Sequence, residues 1–215
     1  MPSRAAPGWI ARAAWLLALA WPAAVHGAVL FGHPEWAPRA TAAALVLAAL
    51  LWALASRRAH AVAGAAVVAL LAAALAVAAP RALLYAPPVA INAVLAWVFG
   101  RSLLAPRDPV ITVFARMEHA ELPAALARYT RGLTLLWTLL FAAMAGIALA
   151  LALAGPLALW STFTNVVSYL LVVALFAGEH AYRRRRYRHY RHAGLLELAR
   201  NVRRAGLLTR PRGTP

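Results

Sequence analysis

The last long apolar stretch of the chain carries polar side chains that share one face of a predicted helix. They recur three, four and seven residues after the first of them, which is helical spacing. This polar stripe consists of Ser161, Thr164, Asn165 and Ser168, and Tyr169 flanks it. Because lipid offers no hydrogen-bond partner, the pattern predicts that the stripe points into a helical bundle. It fits helix packing through small hydroxylated residues, and it also fits a polar cavity.

Asn92 lies at a similar depth in an earlier apolar stretch. An asparagine within a bilayer needs a hydrogen-bond partner, so Asn92 and Asn165 are candidate partners for each other. A cavity that both residues line would favour a small transporter or a membrane-embedded transferase.

Glu179 is the carboxylate at the end of the last apolar stretch, and Arg183 follows it by four residues. This order and spacing predict an ion pair on one helix face. A proton relay or the binding of a lipid headgroup is the alternative for Glu179.

Other chemistry has little support in the sequence. The chain contains no cysteine, which excludes thiolate catalysis, disulfides and cysteine-based metal sites. His26 is interpreted as a hydrogen-bonded packing residue of the first apolar stretch. Glycine-rich phosphate loops and the G-x-S-x-G motif do not occur in the sequence. We therefore expect no metal and no cofactor. The lack of enzyme signatures favours a non-catalytic protein but does not exclude catalysis.

A dense run of arginines follows the last apolar stretch. The run consists of Arg183, Arg184, Arg185, Arg186, Arg188 and Arg191. Arginine at the centre of a membrane helix costs about 2.5–3.5 kcal/mol, so this run predicts a cytoplasmic end to the last span. Aromatic residues interleave the run, as in some nucleic-acid-binding tails. Its position beside a span instead favours contact with anionic phospholipid, and we expect no nucleic-acid partner.

The composition indicates a membrane protein. The chain has 215 residues, is 64% hydrophobic and carries a formal net charge of +16, with a mean hydropathy of +0.69. A soluble domain of this size could not cover so much apolar surface. We predict an all-α bundle of six transmembrane helices over residues 1–182 and a basic tail over residues 183–215. The predicted spans cover residues 13–32, 40–55, 61–79, 82–100, 132–154 and 156–180.

Six spans place both termini on one side of the membrane. With this arrangement 20 of the 22 arginines lie on that side, and Arg39 and Arg81 lie on the other. Positive charge marks cytoplasmic loops, so both termini are predicted to be cytoplasmic.

The sequence also suggests how some helices begin and bend. Pro87 and Pro88 remove two amide donors and predict a kink or break in the fourth span. The long loop at 101–131 contains Asp108 and Pro109, which predict the start of a short amphipathic helix on the membrane surface. A second helix is predicted to restart near Pro123 and to continue into the fifth span.

Four stretches of the second half carry a family resemblance. They are LLYAPPVAINAVLAWVFGRSL at 83–103, ITVFAR at 111–116, ELPAALARYTRGLTLLW at 121–137 and LFAGEHAYRRR at 175–185. In these stretches the chain resembles uncharacterised bacterial inner-membrane proteins whose genes accompany clusters for aryl polyene pigments of the xanthomonadin type. More distantly, the layout resembles the intracellular septation protein A family.

The resemblance implies a polar site at the inner leaflet. The matched residues are Arg101, Ser102, Tyr129, Arg131, Thr134 and Trp137, joined by Glu179. Arginine in such a site would bind a phosphate or a carboxylate through two hydrogen bonds. The alternative is that these residues anchor helices at the headgroup layer.

The resemblance also implies a function. The expectation is a non-catalytic accessory protein of the bacterial inner membrane that supports synthesis or export of a lipid-like, aryl polyene-type product. It would tether soluble enzymes, and its arginines suit an acidic partner such as an acyl carrier protein. The alternatives are a structural or interaction protein of the envelope, of the septation type, and the small transporter or transferase.

Overall fold

A computed structural model describes residues 8–56, 58–104, 106, 108–118 and 123–186, and this part of the chain is all-helical. The helices are α1 (Gly8–Leu30), α2 (Trp36–Ser56), α3 (Ala59–Ala78), α4 (Pro80–Ser102), α5 (Val110–Glu118), α6 (Ala124–Ala154), α7 (Leu157–Thr162), a π-helical segment (Phe163–Val167) and α8 (Ser168–Arg186). The segments from α7 to α8 follow one another without a break and form one long helix.

Six of these helical stretches are long and apolar enough to cross a membrane. The predicted all-α fold with six spans is therefore confirmed. Large apolar side chains face outward, such as Leu70 at 71% and Val77 at 87% exposure. This surface suits lipid, because soluble proteins rarely expose such continuous apolar area.

Five of the six spanning helices begin earlier than the apolar runs indicate. Helix α4 begins at Pro80, between the predicted spans 61–79 and 82–100. Proline is favoured in the first turn because its missing N–H would have no helical partner there. Helix α6 begins at Ala124, directly after Pro123, and continues through the fifth span as predicted.

The double proline does not interrupt α4. Pro87 and Pro88 lie inside a helix that continues from Pro80 to Ser102, so the alternative of a break is wrong, and the alternative of a kink stays a prediction. Membrane helices tolerate proline because neighbouring helices and side chains satisfy the backbone groups that lose a partner.

Three apolar clusters lie among the described residues: Ala53, Ala61 and Ala65 join α2 to α3, and two other clusters each join four helices. One joins α1, α2, α4 and α7 through Val25, Ala37, Leu84 and Trp160. The other centres on Leu133, Trp137 and Phe141 of α6, with partly buried residues of α4, α5 and α8 against it. The two clusters lie towards opposite ends of the bundle. We call the end formed by Ser56, Ser102 and the arginines from Arg183 to Arg185 the basic end.

Helix α5 packs against α6. Thr112 is buried, and its hydroxyl lies 2.7 Å from that of Thr130 on α6. Ile111 contacts the cluster around Trp137. The apolar stripe predicts a helix on the membrane surface. In the structure, α5 also packs against α6 through the Thr112–Thr130 pair and through Ile111.

Candidate functional site

The polar stripe lies inside the bundle, as its spacing predicts. Ser161, Thr164 and Ser168 are buried. Asn165 is half-buried, and Tyr169 is 45% exposed on the flank. The stripe crosses the π-helical segment, where the N–H of Ser168 reaches back to the carbonyl of Phe163.

Side chains of the stripe satisfy carbonyls of the preceding turn. The Thr164 hydroxyl donates to the Trp160 carbonyl at 2.8 Å, and Asn165 Nδ2 donates to the Ser161 carbonyl at 3.0 Å. A widened turn disturbs the regular backbone hydrogen bonds, so local side-chain donors are useful here. This sequence pattern predicts the buried face, but it does not predict the π-helical turn.

The two asparagines do not act as partners for each other. Asn92 Nδ2 donates to the Pro88 carbonyl of its own helix at 2.8 Å. Asn165 likewise donates within its own helix, to Ser161. The prediction of a hydrogen bond between them is therefore wrong, and the reason is that a carbonyl four residues earlier is always within reach of a helical asparagine.

His26 links the stripe to the first helix. Its Nδ1 lies 3.0 Å from the Ser161 hydroxyl, which is fully buried. Asn165 Nδ2 approaches the same hydroxyl at 3.3 Å. Ser161 therefore joins α1 to α7 and cannot be reached by a substrate. The sequence indicates that His26 is a packing residue, but a partner 135 positions away leaves no local signal.

Trp160 lies next to this link. Its side chain is 1% exposed and packs edge-on against Tyr85, with ring centroids 4.8 Å apart. Its Nε1 has no hydrogen-bond partner among the residues that the structure describes. The tryptophan thus serves the apolar cluster of α1, α2, α4 and α7.

Glu179 forms the predicted ion pair with Arg183. The structure adds a second partner, since the Tyr129 hydroxyl of α6 donates to Glu179 at 3.1 Å. Tyr129 also stacks on Tyr182, with ring centroids 5.5 Å apart. Only 9% of the Glu179 side chain is exposed. Its carboxylate is thus occupied by groups of the protein itself.

Ser102 and Thr134 hold the start of α5. The Ser102 hydroxyl accepts from the N–H of Val110 at 3.0 Å, and the Thr134 hydroxyl accepts from the N–H of Ile111 at 3.4 Å. These amides belong to the first turn, which has no partner within its own helix. Neighbouring helices therefore provide the cap of α5.

The other members of the predicted inner-leaflet site make contacts of their own. Arg131 Nη2 donates to the Leu103 carbonyl just beyond α4, at 2.8 Å. Arg101 lies over the ring of Trp97, 4.5 Å from its centroid. Trp137 is 6% exposed in the apolar cluster, so it is not a headgroup anchor. That these residues form one binding site stays a prediction.

The arginines after Glu179 divide into two groups. Arg184 and Arg185 are exposed at the end of α8, and no salt bridge joins either of them to another described residue. Arg188 and Arg191, with the other residues of the predicted tail from 187 to 215, lie outside the described residues. Among the residues that the structure describes, no group of three His, Asp or Glu side chains could hold a metal ion.

Comparison with protein-family models, curated proteins and solved structures finds no match to this chain. The resemblance to the aryl polyene-associated and septation families therefore stays a prediction.

Proposed function

We propose that the protein is a non-catalytic accessory protein of the bacterial inner membrane whose basic end faces the cytoplasm. There it holds an acidic soluble partner, such as an acyl carrier protein, at the membrane and so supports synthesis or export of a lipid-like product. The observation that carries this proposal is that the Glu179 carboxylate already has two partners within the protein. Because Arg183 and Tyr129 occupy this carboxylate, it does not neutralise the exposed Arg184 and Arg185.

The charge balance of the chain supports the same function. The chain contains six acidic residues and 22 arginines. One of the acidic residues, Asp108, forms a salt bridge with Arg116 at 3.0 Å. The unpaired positive charge at the basic end is suited to an anionic surface. Charge complementarity of this kind accelerates association and selects partners.

The alternatives have less support. A transporter or transferase built on Asn92 and Asn165 would need a shared cavity, and both amides bond within their own helices. An envelope protein would share the basic end but would bind division or cell-wall proteins there. The partner therefore distinguishes tethering from envelope organisation.

The test is binding of a purified acyl carrier protein to the full-length protein in nanodiscs of neutral lipid. The variant is Arg184→Glu with Arg185→Glu, and the matched control is Arg39→Glu with Arg81→Glu at the opposite end. We expect the first variant to weaken binding about tenfold or more and added salt to weaken wild-type binding. The control should bind as wild type does.

Equal binding by both variants, or no binding by the wild-type protein, would contradict recruitment of an acyl carrier protein. Crosslinking in cells would then decide the alternative. If division or cell-wall proteins are crosslinked at position 185, the function is envelope organisation and not tethering of soluble enzymes.

A further inference from the structure

An apolar cleft of about 430 Å³ runs between α1, α2 and α4. Its walls include Leu17 of α1, Ala48 and Trp52 of α2, and Ile91 of α4. The volume falls within the range of about 300–1,000 Å³ that is typical of small-molecule sites. This cleft is separate from the arginines at the end of α8, so an inference about it does not depend on the proposed recruitment.

The cleft offers a ligand almost no polar group. Trp21 and Thr41 both line it, but Trp21 Nε1 donates to the Thr41 hydroxyl at 3.2 Å. The hydroxyl in turn donates to the Ala37 carbonyl at 3.0 Å. These polar atoms already have partners, so the part of a ligand that enters the cleft must be hydrocarbon.

The shape of the cleft suits one extended chain. Its lining on α1 runs from Ile10 to Trp21 and on α2 from Thr41 to Ala55. At 1.5 Å per residue these stretches are about 16 and 21 Å long. One leaflet of a bilayer contributes about 15 Å of hydrocarbon. The cleft is thus about as long as a single acyl chain.

The charges at the two ends give the occupant a direction. Ile10 and Ala55 mark the basic end of the cleft, where Arg12 and Arg58 are exposed. Near the other end, Arg39 and Arg81 are joined by an acidic residue, Glu35. A carboxylate would meet this like charge there, whereas no acidic residue accompanies Arg12 and Arg58 among the described residues at the basic end of the cleft. An anionic headgroup is therefore favoured at the basic end.

We propose that this cleft binds a single-chain anionic amphiphile, a long-chain carboxylate, with its hydrocarbon chain between α1, α2 and α4 and its headgroup at the basic end. Such a ligand matches three properties of the cleft, which are its apolar lining, its length of about one acyl chain and the difference in charge between its ends. Its site is distinct from the surface that is proposed to bind an acidic protein.

The probe is cis-parinaric acid, a fluorescent conjugated fatty acid, titrated into the full-length protein in detergent micelles. Tryptophan excitation should sensitise its emission, because Trp21 and Trp52 line the cleft. Unlabelled long-chain fatty acid should displace it. The Trp52→Phe variant should lower the sensitised emission, because it removes one of the energy donors in the lining.

Ala48→Phe fills the cleft, and Ala43→Phe is the matched control because Ala43 is exposed on the same helix outside the lining. We expect Ala48→Phe to weaken binding about tenfold or more, whereas Ala43→Phe should bind as wild type does. Thermal unfolding checks that both variants fold. If Ala48→Phe does not fold, Ile91→Trp fills the cleft from α4 instead.

The headgroup is tested with the matching fatty alcohol. Wild-type protein should bind the carboxylate about fivefold more tightly than the alcohol, and Arg58→Gln should reduce this preference. If Ala48→Phe and Ala43→Phe bind the fatty acid equally tightly, the cleft is not its binding site. Equal affinity of wild type for acid and alcohol, or a co-purifying phospholipid that fatty acid does not displace, would overturn the proposed ligand class.

Discussion

Tyr129, Glu179 and Arg183 tie α6 to α8 at the basic end of the bundle. The carboxylate accepts from the phenol of one helix and pairs with the guanidinium of the other. A charged group that is this little exposed needs such partners, because removing it from water is costly. The three residues therefore stabilise the helix contact, in agreement with the ion-pair interpretation of Glu179.

Tyr129→Phe should lower the free energy of unfolding by about 1 kcal/mol, since it removes one hydrogen bond to a buried carboxylate. Thermal unfolding of the purified protein in detergent measures the change. Tyr169→Phe is the control, because Tyr169 is 45% exposed on α8. A Tyr129→Phe variant as stable as the control would show that the contact contributes nothing.

Gly100 sets the distance between α4 and α6. A Cβ atom at this position would lie 3.2 Å from Thr138 Cγ2. Thr138 cannot easily turn away, because its hydroxyl donates to the Thr134 carbonyl at 2.8 Å and its branched side chain has few rotamers. This glycine is thus required by a close approach of two helices.

Gly100→Ala should therefore destabilise the protein by about 1–3 kcal/mol through overpacking. Gly146→Ala on α6 is the control, since a Cβ there meets nothing within 4 Å. That change should be neutral or stabilising by up to about 1 kcal/mol, as alanine favours the helix. Equal unfolding temperatures for the two variants would contradict the close approach.

At the scale of elements, α5 depends on its neighbours for its first turn. Ser102 of α4 and Thr134 of α6 accept from its first two amides. The pair Thr112 and Thr130 adds a buried contact between hydroxyls. A helix of nine residues is marginal in isolation, so these tertiary contacts decide its stability.

The double variant Ser102→Ala with Thr134→Val should release α5 without unfolding the bundle. Hydrogen exchange should become faster over residues 110–118, while exchange over α6 should remain slow. Thr162→Val is the control, because this exposed hydroxyl bonds only to the Ala158 carbonyl of its own helix. Unchanged protection of α5 in the double variant would contradict capping by its neighbours.

The sequence predicts elements better than it predicts contacts. Apolar runs and prolines locate six spans because hydrocarbon length and backbone hydrogen bonding leave few other solutions. The spacing of Ser161 and Ser168 likewise predicts a buried face. Partners are harder to predict, because Tyr129 and Glu179 lie 50 positions apart and His26 and Ser161 lie 135 positions apart. Such pairs follow from helix packing, which periodicity does not specify.

At the scale of the whole molecule, recruitment of a cytoplasmic partner depends on the orientation of the bundle in the membrane. The basic end must face the cytoplasm for Arg184 and Arg185 to meet an acidic cytoplasmic protein. The cleft between α1, α2 and α4 opens its charged end to the same side. Arginine placement predicts this orientation, with 20 of 22 arginines on one side of six spans.

The most direct test is labelling of single cysteines in intact cells, because the natural chain contains none. A membrane-impermeant maleimide should label Glu35→Cys from outside the inner membrane. It should not label Ser56→Cys or Arg185→Cys until the membrane is permeabilised. Labelling of position 185 in intact cells, with protection of position 35, would invert the topology and contradict recruitment of a cytoplasmic partner.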